Sequence, residues 1–449
     1  MPERNKRCLQ FVVYYVIAAF ATITPTLNAA LLSGPMLGHV DMREASIWLQ
    51  ADEPSTLSIR YHEDGSEVFF ETKPVQADAE RALTATIKLK QVEPGKTYNY
   101  EVLQNGETIG TTYQINTPEN YYFRAPPPDF SFAVGGAHYS MEDEFEPPYQ
   151  LLGGGYGIFQ VIQKTSPHFM LWMGNTSHLR QSDYTTQSGI LKRFTHSRSV
   201  TELKSLLASM PHYALWSHAD YSFSNMSQFA SYRQYSETAF KAFWPRPVEV
   251  PNLEGIASRF RYADVDFFML DVHSYRNDTP NSEQTPQILG KKQIEWLRQE
   301  LINSSATFKI ILSGSPVLNP ADNDKNLSYA QAEHNFLLEA LRRENISGLF
   351  FISGGKYFGE LTKLVHASNY NLYDLTIGPL TASPNTSNKE LNYFRVPGTT
   401  TVERQFAIIE VQGPEEDRKL KIQVNSMEGD LLWNRIIPAR DLQPLEELK

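Results

Sequence analysis

The sequence predicts a layered α/β domain with a two-sheet core, preceded by a small β-sandwich. Short strand-like runs separated by turn residues fill residues 31–118. From residue 130 onward, predicted strands alternate with helical patterns, which is typical of a layered α/β fold. The stretch 119–129 between them carries three consecutive prolines, which favour an extended, semi-rigid spacer. At 449 residues the chain is too long for one simple domain.

The composition is that of an ordinary globular protein. Hydrophobic residues make up 41% and charged residues 20% of the chain, which is enough to bury a large core. The formal net charge of -10 at pH 7 disfavours a polyanionic partner, so we expect no nucleic acid partner.

Residues 1–29 have the pattern of a secretory signal peptide. Three of residues 4–7 are basic, residues 8–23 form an uncharged apolar run, and Ala29 and Ala30 offer small residues for cleavage. An uncleaved anchor is the alternative, although the apolar run is shorter than the roughly 20 residues that a span needs. We therefore expect export to the periplasm or the exterior, with no stable membrane span after cleavage. Because Cys8 is the single cysteine, a cleaved product would have neither a disulfide nor a catalytic thiolate.

The first predicted domain, residues 31–118, is a β-sandwich. Its turn at Pro94 and Gly95, followed by Tyr98 and Tyr100, resembles the turn and tyrosine-bearing strand late in fibronectin type III domains. No residue pattern in it indicates chemistry, so we expect a structural or docking module. The predicted strands are 46–50, 57–61, 85–88, 98–103 and 111–115.

The second predicted domain, residues 130–449, alternates strands with helices. Its predicted strands are 130–134, 169–173, 213–216, 265–270, 308–312, 349–352, 373–377, 406–411 and 420–424. A helix is predicted over 288–303, where Ile294, Leu297 and Leu301 recur at spacings of three and four residues. A second helix is predicted over 330–343, with the apolar residues Phe336, Leu337, Ala340 and Leu341.

Five of the predicted strands lead directly into polar clusters. The clusters follow residues 134, 173, 216, 270 and 352, and read GGAHY, GNTSH, SHADY, DVHSY and SGGKY. Sheets of this type place their binding sites at the carboxyl ends of the strands. We therefore expect the five clusters to converge on one pocket.

With these clusters, the chain resembles the alkaline phosphatase D (PhoD-like) branch of the calcineurin-like metallophosphoesterases. The resemblance extends from about residue 31 to the C-terminus and includes stretches far from the clusters, such as 190–207 and 372–380. It implies a two-sheet α/β/β/α metallophosphoesterase-type sandwich after a fibronectin III-like β-sandwich. It also implies a two-metal site that would support alkaline phosphatase or phosphodiesterase activity.

At the positions that match the family's metal ligands, this chain mostly carries other residues. The family's cysteine near the first turn is matched by Ala137, its bridging aspartate by Asn175, and its iron-ligating tyrosine by His178. The family's Trp-Asp-Asp-His-Asp pattern is matched by Trp216, Ser217, His218, Ala219 and Asp220, and its Gly-Asp-x-His pattern by Gly354, Gly355, Lys356 and Tyr357.

The loss of negative charge at these positions predicts the loss of the dimetal site. Two metal ions bring four or more positive charges within about 4 Å, and anionic ligands must offset them. Losing outer-shell partners alone costs about 10–100-fold in metal affinity each, so several missing ligands should cost well over about 10⁴-fold. We expect no metal cofactor and a catalytically deficient pseudophosphatase with a binding or scaffolding role.

Three alternatives stay open beside simple polar filling of the pocket. In the first, a remodelled metal-dependent phosphoesterase holds a single transition metal such as zinc through histidines and carboxylates: His138, His178, His218, Asp220, Asp271 and His273. In the second, the pocket binds a phosphate or phosphoester without metal, with Arg180, Arg198 and Lys356 as anion-binding residues. In the third, the protein works as a surface module through its N-terminal sandwich.

Overall fold

The computed structural model describes residues 31–142, 144–146, 152–221, 230–277, 285–365, 371–386 and 390–444. The signal peptide predicted for residues 1–29 lies outside these ranges. In the described part of the chain, no helix is both long enough and apolar enough to cross a membrane.

The N-terminal domain is a sandwich of two antiparallel sheets. Its strands are β1 (Leu31–Val40), β2 (Ala45–Ala51), β3 (Ser55–Glu63), β4 (Phe70–Glu71), β5 (Val75–Ala77), β6 (Thr84–Leu89), β7 (Thr97–Gln104) and β8 (Glu107–Asn116). One sheet has the order β1-β2-β6 and the other the order β4-β3-β7-β8, with β5 also paired to β3. Alternate residues of the strands point inward, so side chains such as Leu49, Ile59 and Tyr100 form a buried core between the sheets.

The second domain contains two six-stranded sheets. Its strands are β9 (Phe130–Gly135), β10 (Phe169–Met173), β11 (His212–Leu215), β12 (Ser258–Tyr262), β13 (Val265–Met269), β14 (Phe308–Ser313), β15 (Leu349–Ser353), β16 (Glu360–Val365), β17 (Asn371–Thr376), β18 (Gln405–Gln412), β19 (Lys419–Ser426) and β20 (Leu431–Pro438). Sheet I has the order β11-β10-β9-β18-β19-β20, and sheet II the order β12-β13-β14-β15-β17-β16. All nine strands predicted for this domain are present.

Helices cover the outer faces of both sheets. They are α1 (Ile158–Lys164), α2 (Gln187–Ser197), α3 (Thr201–Ser209), α4 (His218–Tyr221), α5 (Ala230–Phe243), α6 (Lys291–Asn303) and α7 (Gln331–Arg343). Between the sheets lies an aromatic and aliphatic core, in which Phe132 of sheet I meets Phe267 of sheet II edge to face at 5.4 Å. The layers are therefore α/β/β/α, as the sequence predicts.

The two predicted helices are present, but each differs from its prediction in one respect. The helix predicted over 288–303 begins only at Lys291, because Gly290 has φ 75°, outside helical geometry. The backbone amides of residues 288–290 donate instead to the carboxylate of Glu333. In α7, Leu337 and Leu341 are buried, whereas Phe336 is 56% exposed because it lies one position away from the buried face.

The parallel strands of both sheets end at the same edge. In sheet I, β9, β10 and β11 run parallel, and in sheet II so do β13, β14 and β15. Their ends meet closely, since the indole nitrogen of Trp216 after β11 donates to Asp271 Oδ1 after β13 at 2.8 Å. The five polar clusters therefore follow strands that end at one edge, whereas their convergence on one pocket stays a prediction.

Candidate functional site

The turn after β10 places an amide where the family's bridging carboxylate would lie. Asn175 is fully buried and has φ 55°, a left-handed conformation that asparagine tolerates better than most residues. Its Oδ1 accepts from the backbone amide of Ala219 at 3.0 Å, and its Nδ2 has no hydrogen-bond partner among the described residues. The neighbouring turn at Ala137 is held to the same loop, because its amide donates to Gly174 O at 2.9 Å. Asn175 therefore braces α4 through its oxygen.

Asp220 is a structural carboxylate that joins two turns. Its Oδ1 accepts from the amides of Thr176 and Ser177 at 2.6 and 2.8 Å and from both of their hydroxyl groups. Its Oδ2 accepts from the Ser217 amide at 3.1 Å. Burial raises the pKa of Asp220, and these hydrogen bonds oppose that rise. Asp220 Oδ1 is therefore saturated by four donors, while Oδ2 accepts from one.

His178 is fixed by hydrogen bonds at both ring nitrogens. Nδ1 lies 2.9 Å from the carbonyl oxygen of His138, and because a carbonyl only accepts, Nδ1 carries the proton. Nε2 then accepts from the hydroxyl of Tyr357 at 2.8 Å. Burial, with a smaller contribution from Arg193, lowers the pKa of His178 to about 3. The imidazole is therefore neutral and both of its nitrogens are engaged.

His138 is engaged in the same way. Its Nε2 donates to Ser197 O at 3.1 Å, and its Nδ1 lies 2.8 Å from the hydroxyl of Thr381, which can donate to it. Burial lowers its pKa to about 3 as well. His138 and His178, two of the four candidate histidines, thus form internal hydrogen bonds through both ring nitrogens.

The depressed pKa of His178 predicts a pH dependence of stability. The unfolded chain protonates this residue below a pKa near 6.5, whereas the folded protein does so only near 3, so stability falls as pH falls through that window. Between about pH 7 and about pH 5, the wild type should lose about 2 kcal/mol of unfolding free energy because of His178. His178→Gln should not show this part of the loss. Urea unfolding at the two pH values measures this difference. Tyr357→Phe is the matched control, because it removes the hydrogen bond without removing the imidazole and should keep the wild-type slope. If the unfolding free energy of His178→Gln changed with pH as much as that of the wild type, the lowered pKa of His178 would be contradicted.

The cluster after β13 combines a fully bonded carboxylate with an unbonded imidazole. Asp271 accepts hydrogen bonds at both oxygens from side chains and backbone amides, among them Trp216 Nε1 and the amide of Ile256. His273 is buried against Tyr221, with the ring centroids 4.9 Å apart and nearly parallel. Its ring nitrogens have no hydrogen-bond partner among the described residues, and its centroid lies 6.5 Å from that of His218.

The turn after β15 lacks the family's aspartate, and its backbone leaves no room for a side chain there. Gly355 has φ 76°, and a Cβ atom at this position would lie 2.4 Å from Gly314 O and 2.9 Å from Ser217 Oγ. The next residue, Lys356, is buried and pairs with Glu390 at 2.9 Å. The pocket residue that follows, Tyr357, serves as the hydrogen-bond donor to His178.

The other two anion-binding candidates are also committed to other groups. Arg180 pairs with Glu142 at 2.7 Å, with Asp183 at 2.9 Å and with Glu146 at 3.5 Å. Arg198 lies over the indole of Trp244, with its guanidinium carbon 3.8 Å from the ring centroid, and burial lowers its pKa to about 9. The three cations therefore face three different sets of partners.

Sequence reasoning missed one residue beside the site, Arg193. It is fully buried in α2, and its Nε donates to the carbonyl oxygens of Ser177 and His178 at 2.8 and 3.0 Å. Ile190, Arg193 and Phe194 recur at spacings of three and four, which places the arginine on the buried face. From that spacing the burial of Arg193 could have been predicted. Arg193 holds the loop that carries His178.

The residues present do not fit a two-metal centre. Within the described ranges, no group of three or more His, Cys, Asp or Glu side chains is arranged to hold a metal ion. The structure likewise does not arrange the alternative ligand set to hold a metal ion: His138, His178, His218, Asp220, Asp271 and His273. Four of its members, His138, His178, Asp220 and Asp271, already form hydrogen bonds within the protein. The edge of the sheets is instead occupied by side chains that bond to one another.

Comparison with known proteins agrees with this fold. Residues 132–402 match the PhoD-like phosphatase family, and residues 28–121 match a domain of unknown function, DUF7800. The solved structure of PhoD covers 92% of this chain and 92% of its own, with a TM-score of 0.69 and 14% identity. The purple acid phosphatase PPD1 from yellow lupin (Lupinus luteus) seeds covers 91% of this chain and 75% of its own, with a TM-score of 0.67 and 12% identity. These identities show the fold alone, and no curated protein matches the chain. By the family match over more than half of its length, the chain belongs to the PhoD-like phosphatase family.

Proposed function

We propose that this protein is an exported pseudophosphatase, which keeps the PhoD-like fold but has lost the dimetal site and acts by binding or scaffolding. The observation that carries the proposal is the hydrogen bonding of His178. Its ring nitrogens contact His138 O and Tyr357 Oη, so the nitrogen that would ligate a metal is already occupied by a protein donor. The missing side chain at Gly355 and the amide at Asn175 support the same conclusion.

The contacts of the three candidate cations bear on the choice between phosphate capture and scaffolding. A phosphate or phosphoester that approached Lys356 would compete with Glu390, and one that approached Arg180 would compete with three carboxylates. Arg198 offers a guanidinium that is stacked on an indole and buried. These contacts favour scaffolding over phosphate capture as the role of the protein.

Metal content and turnover together test the proposal. The purified full-length protein, loaded with iron, zinc or calcium and then desalted, should retain far less than one metal ion per chain. It should also hydrolyse aryl phosphate monoesters and diesters no faster than its His178→Ala variant does, because no described residue cluster can activate water through a metal. Stoichiometric metal, with turnover abolished in His178→Ala, would overturn the proposal in favour of a remodelled phosphoesterase.

A further inference from the structure

Lys356 belongs to a buried cluster in which an amine and an amide share one carboxylate. Its Nζ lies 3.1 Å from Oε1 and 2.9 Å from Oε2 of Glu390. The same Oε1 accepts from Nδ2 of Asn319 at 2.7 Å. The Lys356 and Glu390 side chains are 4% and 11% exposed, and Asn319 is fully buried. The Lys356 amine and the amide nitrogen of Asn319 are therefore both held against one carboxylate oxygen, Glu390 Oε1.

The surroundings of Asn319 prepare its side-chain amide for attack. Oδ1 accepts from the backbone amide of Ala321 at 3.0 Å, and a donor in this position stabilises negative charge that develops on the carbonyl oxygen. Nδ2 also donates to Oε1 of Glu360 at 3.0 Å, so two carboxylates flank the leaving group. Burial excludes the water that would compete for the same carbon.

The environment of the Lys356 amine also favours its attack on the amide. Burial lowers the pKa of Lys356, while the ion pair with Glu390 opposes that shift and provides a base within contact distance. The cluster lies among loops that follow different strands, since Asn319 follows β14 and Lys356 follows β15. A bond between them would tie neighbouring strand ends of sheet II.

We propose that Lys356 and Asn319 form an intramolecular isopeptide bond, with Glu390 as the proton carrier. Glu390 takes a proton from the Lys356 ammonium group, and the neutral amine attacks Cγ of Asn319. The Nζ–Cγ bond forms and the Cγ–Nδ2 bond breaks, while Glu390 returns its proton to Nδ2, which leaves as ammonia. Glu390 takes up the second Nζ proton and passes it to the departing ammonia, so the step needs no oxidant and no further reactant.

Besides the buried Asn326, whose Nδ2 lies 3.4 Å from Glu390 Oε1, the competing amide in this cluster is that of Asn323. Its Nδ2 donates to Glu390 Oε2 at 2.9 Å, and its Oδ1 accepts from the amide of Lys325 at 2.9 Å. Its side chain is partly exposed, however, and no second carboxylate is among its recorded contacts. Burial favours Asn319 over Asn323, and the contact with Glu360 together with the shorter distance to Glu390 Oε1 favours it over Asn326.

The bond would provide a covalent tie that this chain lacks otherwise. Cys8 is its single cysteine, so no disulfide can form within the chain. The proposal does not depend on the proposed function, because it concerns the folded chain with or without catalysis.

Mass spectrometry of the purified, denatured wild-type protein tests the bond. We expect an intact mass lower than that of the amino-acid chain by one ammonia molecule. A protease digest should yield a branched peptide that joins Lys356 to Asn319. Lys356→Arg and Glu390→Gln should show the full sequence mass, and the matched variant Asn323→Ala should keep the loss.

The wild-type result decides the proposal, whatever the folding of the variants. A wild-type chain of full sequence mass, with Lys356 recovered only in linear peptides, would overturn it. A branch at Asn323, or a loss of ammonia that persists in Lys356→Arg, would overturn it equally.

Discussion

Gly355→Asp, the substitution that reintroduces an aspartate in the family's Gly-Asp-x-His pattern, is expected to destabilise the protein without creating a metal site. Residue 355 has φ 76°, a conformation that costs a residue with a side chain about 1–2 kcal/mol. The new Cβ would also lie 2.4 Å from Gly314 O, a backbone atom that cannot rotate away. Overpacking of this type adds about 1–3 kcal/mol, so the unfolding free energy should fall by about 3 kcal/mol or more. Denaturant unfolding measures the loss, and metal analysis of the variant should find no stoichiometric ion.

Gly65→Asp separates the two contributions. Gly65 has φ 78°, nearly the same as Gly355, but no atom lies within 4 Å of the position that its Cβ would take. This variant should therefore lose only the backbone contribution of about 1–2 kcal/mol. Equal losses in the two variants would show that the turn after β15 can accommodate a side chain. A stable Gly355→Asp protein with bound metal would overturn the proposed loss of the site.

These expectations imply that the backbone around Gly355 itself excludes a ligand side chain at this position. Gly314 and Gly355 pack so closely that the ends of β14 and β15 leave no volume for a ligand side chain. Ser217, at the end of β11, closes the same space from sheet I. Single substitutions that introduce a ligand side chain should therefore not create a metal site, because neighbouring turns would also have to move.

The strands that the sequence predicted are rich in apolar residues, either in continuous runs or alternating with polar ones. β10 is the clearest case, since its predicted and observed bounds coincide at Phe169–Met173. β1 escaped prediction because Gly34, Pro35 and Gly38 interrupt its apolar pattern, and its pairing with β2 contains several register shifts. Residues that usually break strands are accommodated there by irregular pairing, which a local pattern does not reveal.

The site shows a different limit of sequence reasoning. The resemblance to the PhoD-like family could indicate where this chain departs from the family's ligand pattern, because the matching positions follow strands in the same order. It could not indicate what the remaining polar groups contact, since their partners are distant in sequence: Arg180 pairs with Glu142 across 38 residues, and His178 bonds to Tyr357 across 179. Arg180 and Lys356 therefore looked like anion-binding residues, although each of them pairs with carboxylates of the protein.

Arg418→Met is the second substitution with a large expected effect, and it acts far from the pocket. The Arg418 side chain is fully buried and donates to Asp264 at 2.9 Å and to Asp129 at 2.7 Å. It also donates to the carbonyl oxygens of Gly413 and Pro128, so it joins the end of the proline-rich spacer to sheet I. Removing one partner of a buried ion pair costs about 3–5 kcal/mol, because the remaining charge stays desolvated. We expect a loss of that size in the free energy of unfolding, measured by urea denaturation.

Two companion variants identify the source of the loss. Arg440→Met removes an arginine that is 73% exposed and pairs with Asp417, so it should leave stability unchanged. Asp264→Asn should approach the loss of Arg418→Met, whereas Asp129→Asn should fall well short of it, because Asp264 is 10% exposed and Asp129 is 64% exposed. If Arg418→Met were as stable as Arg440→Met, the spacer would be held by packing alone. A larger loss in Asp129→Asn than in Asp264→Asn would place the important contact at the surface instead of in the interior.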